Sequence, residues 1–187
     1  MKISPLGKAV LMYLAMSLVD VAVAQSLDGT DLETELKPGE AYLLFDSDVN
    51  RDGVSLKLDD KHVYFLKRGK TLHAYRIKAG RYQWESINVP DYELPFYLSL
   101  NKNSQWSFTI EERKVNYIGR VLVDSQRGIN KVPVKIKNRS AMMLDDYRDV
   151  VSFLLERYVF VYGGADKDDF LRFYQNTLKQ ENQLAQP

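Results

Sequence analysis

The sequence predicts a mainly β protein, an antiparallel β-sandwich with a C-terminal α-helical extension, and three observations carry that prediction. Short runs of alternating or continuous apolar residues recur from Ala41 to Ile136 at spacings near ten residues, punctuated by Gly, Asn and Asp. The long helical patterns that a parallel sheet needs as crossovers are absent from that stretch. After Lys137 the apolar spacing changes from two to steps of three and four.

The chain opens on a different signal. Lys2 and Lys8 flank a short positive region, and Ala9 to Val19 is an uninterrupted apolar run too short to span a bilayer as a helix. Ala22-Val23-Ala24 places small residues where signal peptidase needs them. Residues 1–24 are therefore expected to be a signal peptide cut after Ala24, and the mature chain to be periplasmic or secreted. No cysteine follows the apolar run, so lipid attachment there has no acceptor atom. Residues 25–39 are polar and end at Pro38-Gly39, and they are expected to form a leader.

Residues 40–137 read as the sandwich. Ala41 to Phe45 is apolar throughout, and Val54 to Leu58 alternates as a half-buried strand should. His62 to Leu66, Leu72 to Ile77, Arg81 to Ile87, Phe96 to Leu100, Trp106 to Ile110 and Val115 to Val123 follow. Val132 to Ile136 is an edge strand, because Pro133 cannot donate to a ladder. Trp and Tyr fall mostly in these runs, where their rings cover a pleated face. Residues 138–187 read as helical. Ser140 is placed to cap a helix carrying Leu144, Tyr147, Val151, Leu154 and Tyr158 on one stripe. Tyr158 to Tyr162 fits either an extension of that helix or a short strand. Asp166 and Asp169 have capping-box spacing ahead of a second helix with Phe170, Phe173, Tyr174 and Leu178.

Composition excludes several classes of function. The chain has 26 Lys and Arg against 25 Asp and Glu, and the signal carries Lys2, Lys8 and Asp20, so the mature charge balances to zero. Such a chain has no electrostatic footprint for nucleic acid, and its later apolar runs are too short for a transmembrane segment. With no cysteine there is no thiol nucleophile, thiolate metal site or disulfide. The Asn138-Arg139-Ser140 sequon matters only in a eukaryotic secretory pathway.

Lys78-Ala79-Gly80-Arg81-Tyr82-Gln83-Trp84, then Trp106-Ser107-Phe108-Thr109-Ile110-Glu111, then Val115-Asn116-Tyr117-Ile118-Gly119 resembles a group of bacterial exported proteins of unknown function. These have prealbumin-like or immunoglobulin-like β-sandwiches. The resemblance covers about a third of the chain, implies the same fold and compartment, and carries over no catalytic residue.

The sharpest chemical motif is Asp48-Val49-Asn50-Arg51-Asp52-Gly53, with Asp59 further on. Asp48, Asn50, Asp52 and Asp59 occupy the first, third, fifth and twelfth places of a calcium loop, with Gly53 at the sixth. Against this, Ser55 stands where such loops are apolar, Asp59 is shorter than the usual Glu, and Val54 to Leu58 reads as a strand. A hairpin turn explains the same residues. His62 and His73 are the only histidines and both lie in strand patterns, without zinc spacing or a nucleophile elbow. Asp59-Asp60, Glu111-Glu112, Asp145-Asp146 and Asp168-Asp169 are adjacent pairs whose side chains diverge on a strand or a helix.

Three functions are therefore expected, in this order. The first is a non-catalytic envelope module that engages another protein or the cell wall, with the amphipathic C-terminal helices as its protein-binding element. The second is a calcium-binding adhesion-type module. The third is an enzyme whose groups are scattered in the sequence.

Overall fold

A computed structural model describes residues 27–29, 32, 35–90, 96–124 and 132–184. The expected signal peptide and its cleavage site lie outside them. Among the described residues, twelve strands and three helices run in the order β1 (Leu27–Gly29), β2 (Glu40–Val49), β3 (Val54–Lys57), β4 (Val63–Leu66), β5 (Gly69–Lys78), β6 (Gly80–Gln83), β7 (Ser86–Val89), β8 (Phe96–Ser99), β9 (Ser107–Ile110), β10 (Lys114–Val123), β11 (Val134–Lys137), α1 (Ser140–Asp146), α2 (Arg148–Arg157), β12 (Val159–Tyr162) and α3 (Phe170–Leu184). A 3₁₀ turn over Ser104–Trp106 precedes β9.

The mainly β architecture with a C-terminal helix is as the sequence predicts. The largest sheet has the order β1-β5-β2-β10-β11, and β12 also pairs with β10. It lies between two other layers. One is made of the sheet β4-β3-β7-β8 and the ribbon β6-β9, the other of the helices. Alternation along β2 explains both interfaces. Ala41, Leu43, Phe45 and Val49 face a core shared with Leu56, Trp84, Trp106, Phe108 and Ile118. Tyr42 and Leu44 face a second core with Tyr117, Met143, Val151, Leu154, Phe160 and Leu171.

The large sheet is mixed, whereas the sequence suggests antiparallel pairing throughout. β2 and β5 are antiparallel, but β10 runs parallel to β2 and to β12, and β1 runs parallel to β5. No helix is needed for the β2-to-β10 crossover, because the entire second β layer makes that connection. On its other side β10 carries two short partners in succession. β12 pairs with Lys114–Tyr117 and β11 with Arg120–Val123. The register shifts between Tyr117 and Arg120, where Gly119 has φ +112° and a Cβ would sit 2.8 Å from the Lys137 carbonyl oxygen. That bulge lets one strand serve both neighbours.

Local details depart from the sequence pattern for identifiable reasons. Arg81 to Ile87 is two strands, since the Trp84 N–H donates to Trp106 and the Glu85 N–H to Lys57 as the chain passes from the ribbon to the sheet. The expected single helix from Ser140 breaks at Tyr147 (φ −127°, ψ 34°). Ser140 does not cap it: the Asn138 side-chain oxygen accepts from both the Ser140 N–H and its hydroxyl. At α3 the Asp168 carboxylate, rather than Asp166, accepts from the Phe170 N–H. Tyr158 to Tyr162 resolves as strand β12. Within the expected leader, Leu27–Gly29 pairs with β5, while Leu32 and Leu36 are buried in the helix-side core. Among the described residues no helix is long and apolar enough to cross a membrane.

Candidate functional site

The four residues of the calcium pattern are not brought together. Asp48 is the last residue but one of β2, Asn50 and Asp52 lie in the turn into β3, and Asp59 lies in the next turn, beyond the whole of β3. Four strand residues extend about 13 Å, so the strand holds the twelfth position away from the first five. Asn50 and Asp59 also have other partners. Asn50 donates to the Asp124 carboxylate at 2.9 Å, and Asp59 accepts from the Lys61 and His62 N–H groups and contacts His62 Nδ1 at 2.8 Å. That His62 contact, with the two backbone donors, holds the Asp59 carboxyl below its ordinary range. Gly53, at φ +75°, makes the bend, but β2 and β3 belong to different sheets, so the turn passes the chain from one layer to the other and is not the expected hairpin. Among the described residues no three His, Asp or Glu side chains converge as a metal site.

His73 sits on β5 within the sandwich core, wholly buried, and its Nε2 lies 2.9 Å from the Ser47 hydroxyl. Its ring stacks on Phe45 at 4.7 Å between centroids. A Ser–His pair has the donors and acceptors of a nucleophile and base. Ser47 is wholly buried too, so no substrate reaches it, and the pair is a core contact.

The strongest electrostatic feature is one that the sequence pattern hides. Asp46, on the helix-facing side of β2, is wholly buried. It accepts from the Tyr117 hydroxyl at 2.7 Å and from Arg120 Nε. Arg120 then donates to Asp146 at the end of α1, at 2.6 Å, and Lys70 approaches the same carboxylate at 3.4 Å. Burial pushes the Asp46 carboxyl up, opposed by Tyr117 and the Arg120 guanidinium. Burial also raises Asp146, but Arg120 and Lys70 outweigh it and hold that carboxyl below its ordinary range. The Tyr147 hydroxyl, buried beside these groups, has no hydrogen-bond partner among the described residues. The paired charges lock α1 to the sheet.

Beside this network a cleft of about 440 Å³ is lined by Asp48, Asn50, Leu122, Asp124, Lys135 and Lys137. Its lining mixes both signs of charge. A larger, more open hollow of about 630 Å³ lies over the β6-β9 ribbon, with Arg81, Tyr82, Gln83, Thr109 and Gly164 at its walls.

The C-terminal helix has an inner and an outer face. Leu171 and Gln175 are buried, and the Gln175 amide accepts from the Phe160 N–H and donates to the Leu155 and Tyr158 carbonyls. Those bonds tie α3 to the start of β12. The outer face carries Phe170, Phe173 and Leu184, with Phe173 71% and Leu184 88% exposed. At about 100° per residue, Phe173 and Leu184 lie almost in line along the helix, and Phe170 lies one turn before Phe173.

No family model, curated protein or solved structure matches this chain.

Proposed function

We propose that this is a non-catalytic, exported module of the cell envelope that engages another protein through the outer face of α3. The single observation that carries the reading is the exposure of Phe170 and Phe173 at the start of α3, with Leu184 about 16 Å further along the same face, on a helix whose other face is anchored by Leu171 and Gln175. Large exposed apolar side chains grouped on one rigid element mark interaction surfaces more often than isolated ones do. The groups that resemble catalytic residues support the same reading, since the Ser47–His73 pair is sealed and Asp46 is neutralised by Arg120. Export rests on the N-terminal pattern and on the resemblance to exported sandwich proteins.

The test is made in the cells that produce the protein. A photo-crosslinking amino acid replaces Phe173 in one variant and the exposed Lys102 in another. Crosslinking to one discrete partner from position 173 and not from 102, in the fraction outside the cytoplasm, supports the reading. A mature N-terminus at Gln25 supports the export step. A protein retained in the cytoplasm with residues 1–24 intact, or no adduct specific to position 173, overturns it.

A further inference from the structure

The registers of the large sheet set Lys70, Asp48, Leu122 and Lys135 side by side across β5, β2, β10 and β11. The next row holds Leu72, Asp46, Arg120 and Lys137. Cross-strand partners share a face, and Asp46 puts both rows on the helix side. Val134 and Ile136 pack against the sandwich core, which leaves Lys135 and Lys137 pointing the other way. Asp146, at the end of α1, sits over Arg120 in the second row. The first row opens into the cleft of about 440 Å³, which Asp48, Leu122, Lys135 and Lys137 line together.

Charge is left unmatched on both walls of this cleft. Lys70, the base set directly beside Asp48, turns instead to Asp146 at 3.4 Å. Asp48 is half-buried and Lys135 and Lys137 are exposed, and none of the three forms an ion pair or side-chain hydrogen bond among the described residues. They do not reach one another across the floor. Neighbouring strands lie about 4.8 Å apart, so the Asp48 and Lys135 backbones stand about 10 Å apart. Leu122, half-buried, lies between them as an apolar floor. The end of the cleft is held in shape by Asn50, whose N–H donates to Val123 O at 3.3 Å and whose side chain donates to Asp124 at 2.9 Å.

We propose that this cleft binds a small dipolar molecule of the amino-acid class, with an ammonium and a carboxylate at opposite ends of an aliphatic chain. The carboxylate goes to Lys135 and Lys137, the ammonium to Asp48, and the chain lies on Leu122. An apolar floor with a few charged groups at fixed places is the usual make-up of a small-molecule site. The two signs select the ligand. A simple anion matches only the lysine wall and a simple cation only Asp48, whereas a dipolar molecule matches both at once. None of these residues belongs to α3, so the site is independent of the protein-binding surface proposed above.

The probe is 6-aminohexanoate, titrated at low salt into the purified, isotope-labelled full chain, with the Leu122 methyl resonances as the readout. Hexanoate and hexylammonium carry the same chain with one charge each. Saturable shifts are expected with all three, and the dipolar probe should saturate at a concentration about fivefold lower than either control, since an exposed ion pair contributes up to about that factor. Lys135→Gln with Lys137→Gln should bring 6-aminohexanoate down to the affinity of hexylammonium, and Asp48→Asn to that of hexanoate. The lysine variant changes only exposed side chains, so it keeps the test open if Asp48→Asn fails to fold. Hexanoate binding as tightly as 6-aminohexanoate would make this an anion site only, and hexylammonium doing so a cation site only. Either result overturns the proposal, as does the absence of any saturable shift at Leu122 or a preference that survives the lysine variant.

Discussion

Arg120 joins two carboxylates that lie on different layers: Asp46 at the centre of the large sheet, wholly buried, and Asp146 at the C-terminal end of α1. One guanidinium thus neutralises the sheet and fastens the first helix to it. Arg120→Met leaves Asp46 as an uncompensated buried charge, and a loss of about 3–5 kcal/mol in urea unfolding is expected. Replacing both partners, as in Asp46→Leu with Arg120→Met, should recover most of that loss. A double variant no more stable than Arg120→Met would show that the pair is not the source.

Gln175 carries a comparable load on a neutral side chain. It holds one backbone donor and two backbone acceptors at the junction of α2, β12 and α3. Gln175→Leu keeps the bulk and orphans those groups, for an expected cost of about 2–3 kcal/mol. Hydrogen exchange of the Phe160 amide should accelerate more than that of β2 amides.

Gly119 cannot accept a side chain without moving β11. Its φ of +112° is strained for any L-residue, and the Lys137 carbonyl occupies the Cβ position. Gly119→Ala is expected to cost roughly 2 kcal/mol or more. The loss should be visible first as weakened protection of the β10–β11 amides.

The acid limb of stability has a named contributor. The Lys114 ammonium, hydrogen-bonded to Glu111, holds that carboxyl below its ordinary value, with Arg172 adding to the effect. A carboxyl lowered in the folded state stabilises the fold above the unfolded value, near pH 4.5, and the contribution is lost as pH falls through the folded value. Melting temperature should therefore fall with pH in that range, and Glu111→Gln should flatten the fall. A parallel, merely displaced curve would show that other carboxylates dominate.

Calcium should leave thermal unfolding unchanged. A cation held by Asp48, Asn50, Asp52 and Asp59 would need the strand β3 to fold back on itself. Melting curves with excess calcium and with chelator are expected to superimpose. A midpoint raised by calcium and restored by Asp48→Ala would contradict the separation that β3 imposes.

The strands and the helical tail were legible because period two and period 3.6 are local properties of residues such as Val54 to Leu58 or Val151 to Leu154. Pairing is not local. Nothing in Ala41 to Phe45 says that its neighbour is Val115 to Val123, running the same way, nor that Gly119 is a bulge and not a turn. The split at Tyr147 has no proline or glycine to announce it. The Asp46–Arg120 pair is separated by most of the sandwich, yet a trace was present: a carboxylate in Leu43-Leu44-Phe45-Asp46-Ser47 and a guanidinium in Ile118-Gly119-Arg120-Val121 are charges inside apolar runs. Buried charges seek opposite partners, so such interruptions are worth matching across a sequence. The calcium pattern misled because spacing counted along the chain ignores the distance a strand inserts.

The parallel seating of β10 against β2 sets when this protein can fold. β2 emerges early from any machine that handles the chain from its N-terminus, but the neighbour on its far side arrives only after the whole second β layer has been delivered. Contacts of such long sequence separation close slowly. Until Lys114–Val123 is present, the Tyr42 and Leu44 face has no complete sheet to join, and the early part of the chain stays threadable. A topology that postpones its own closure leaves the early strands without their full set of neighbours for longer than a run of hairpins would.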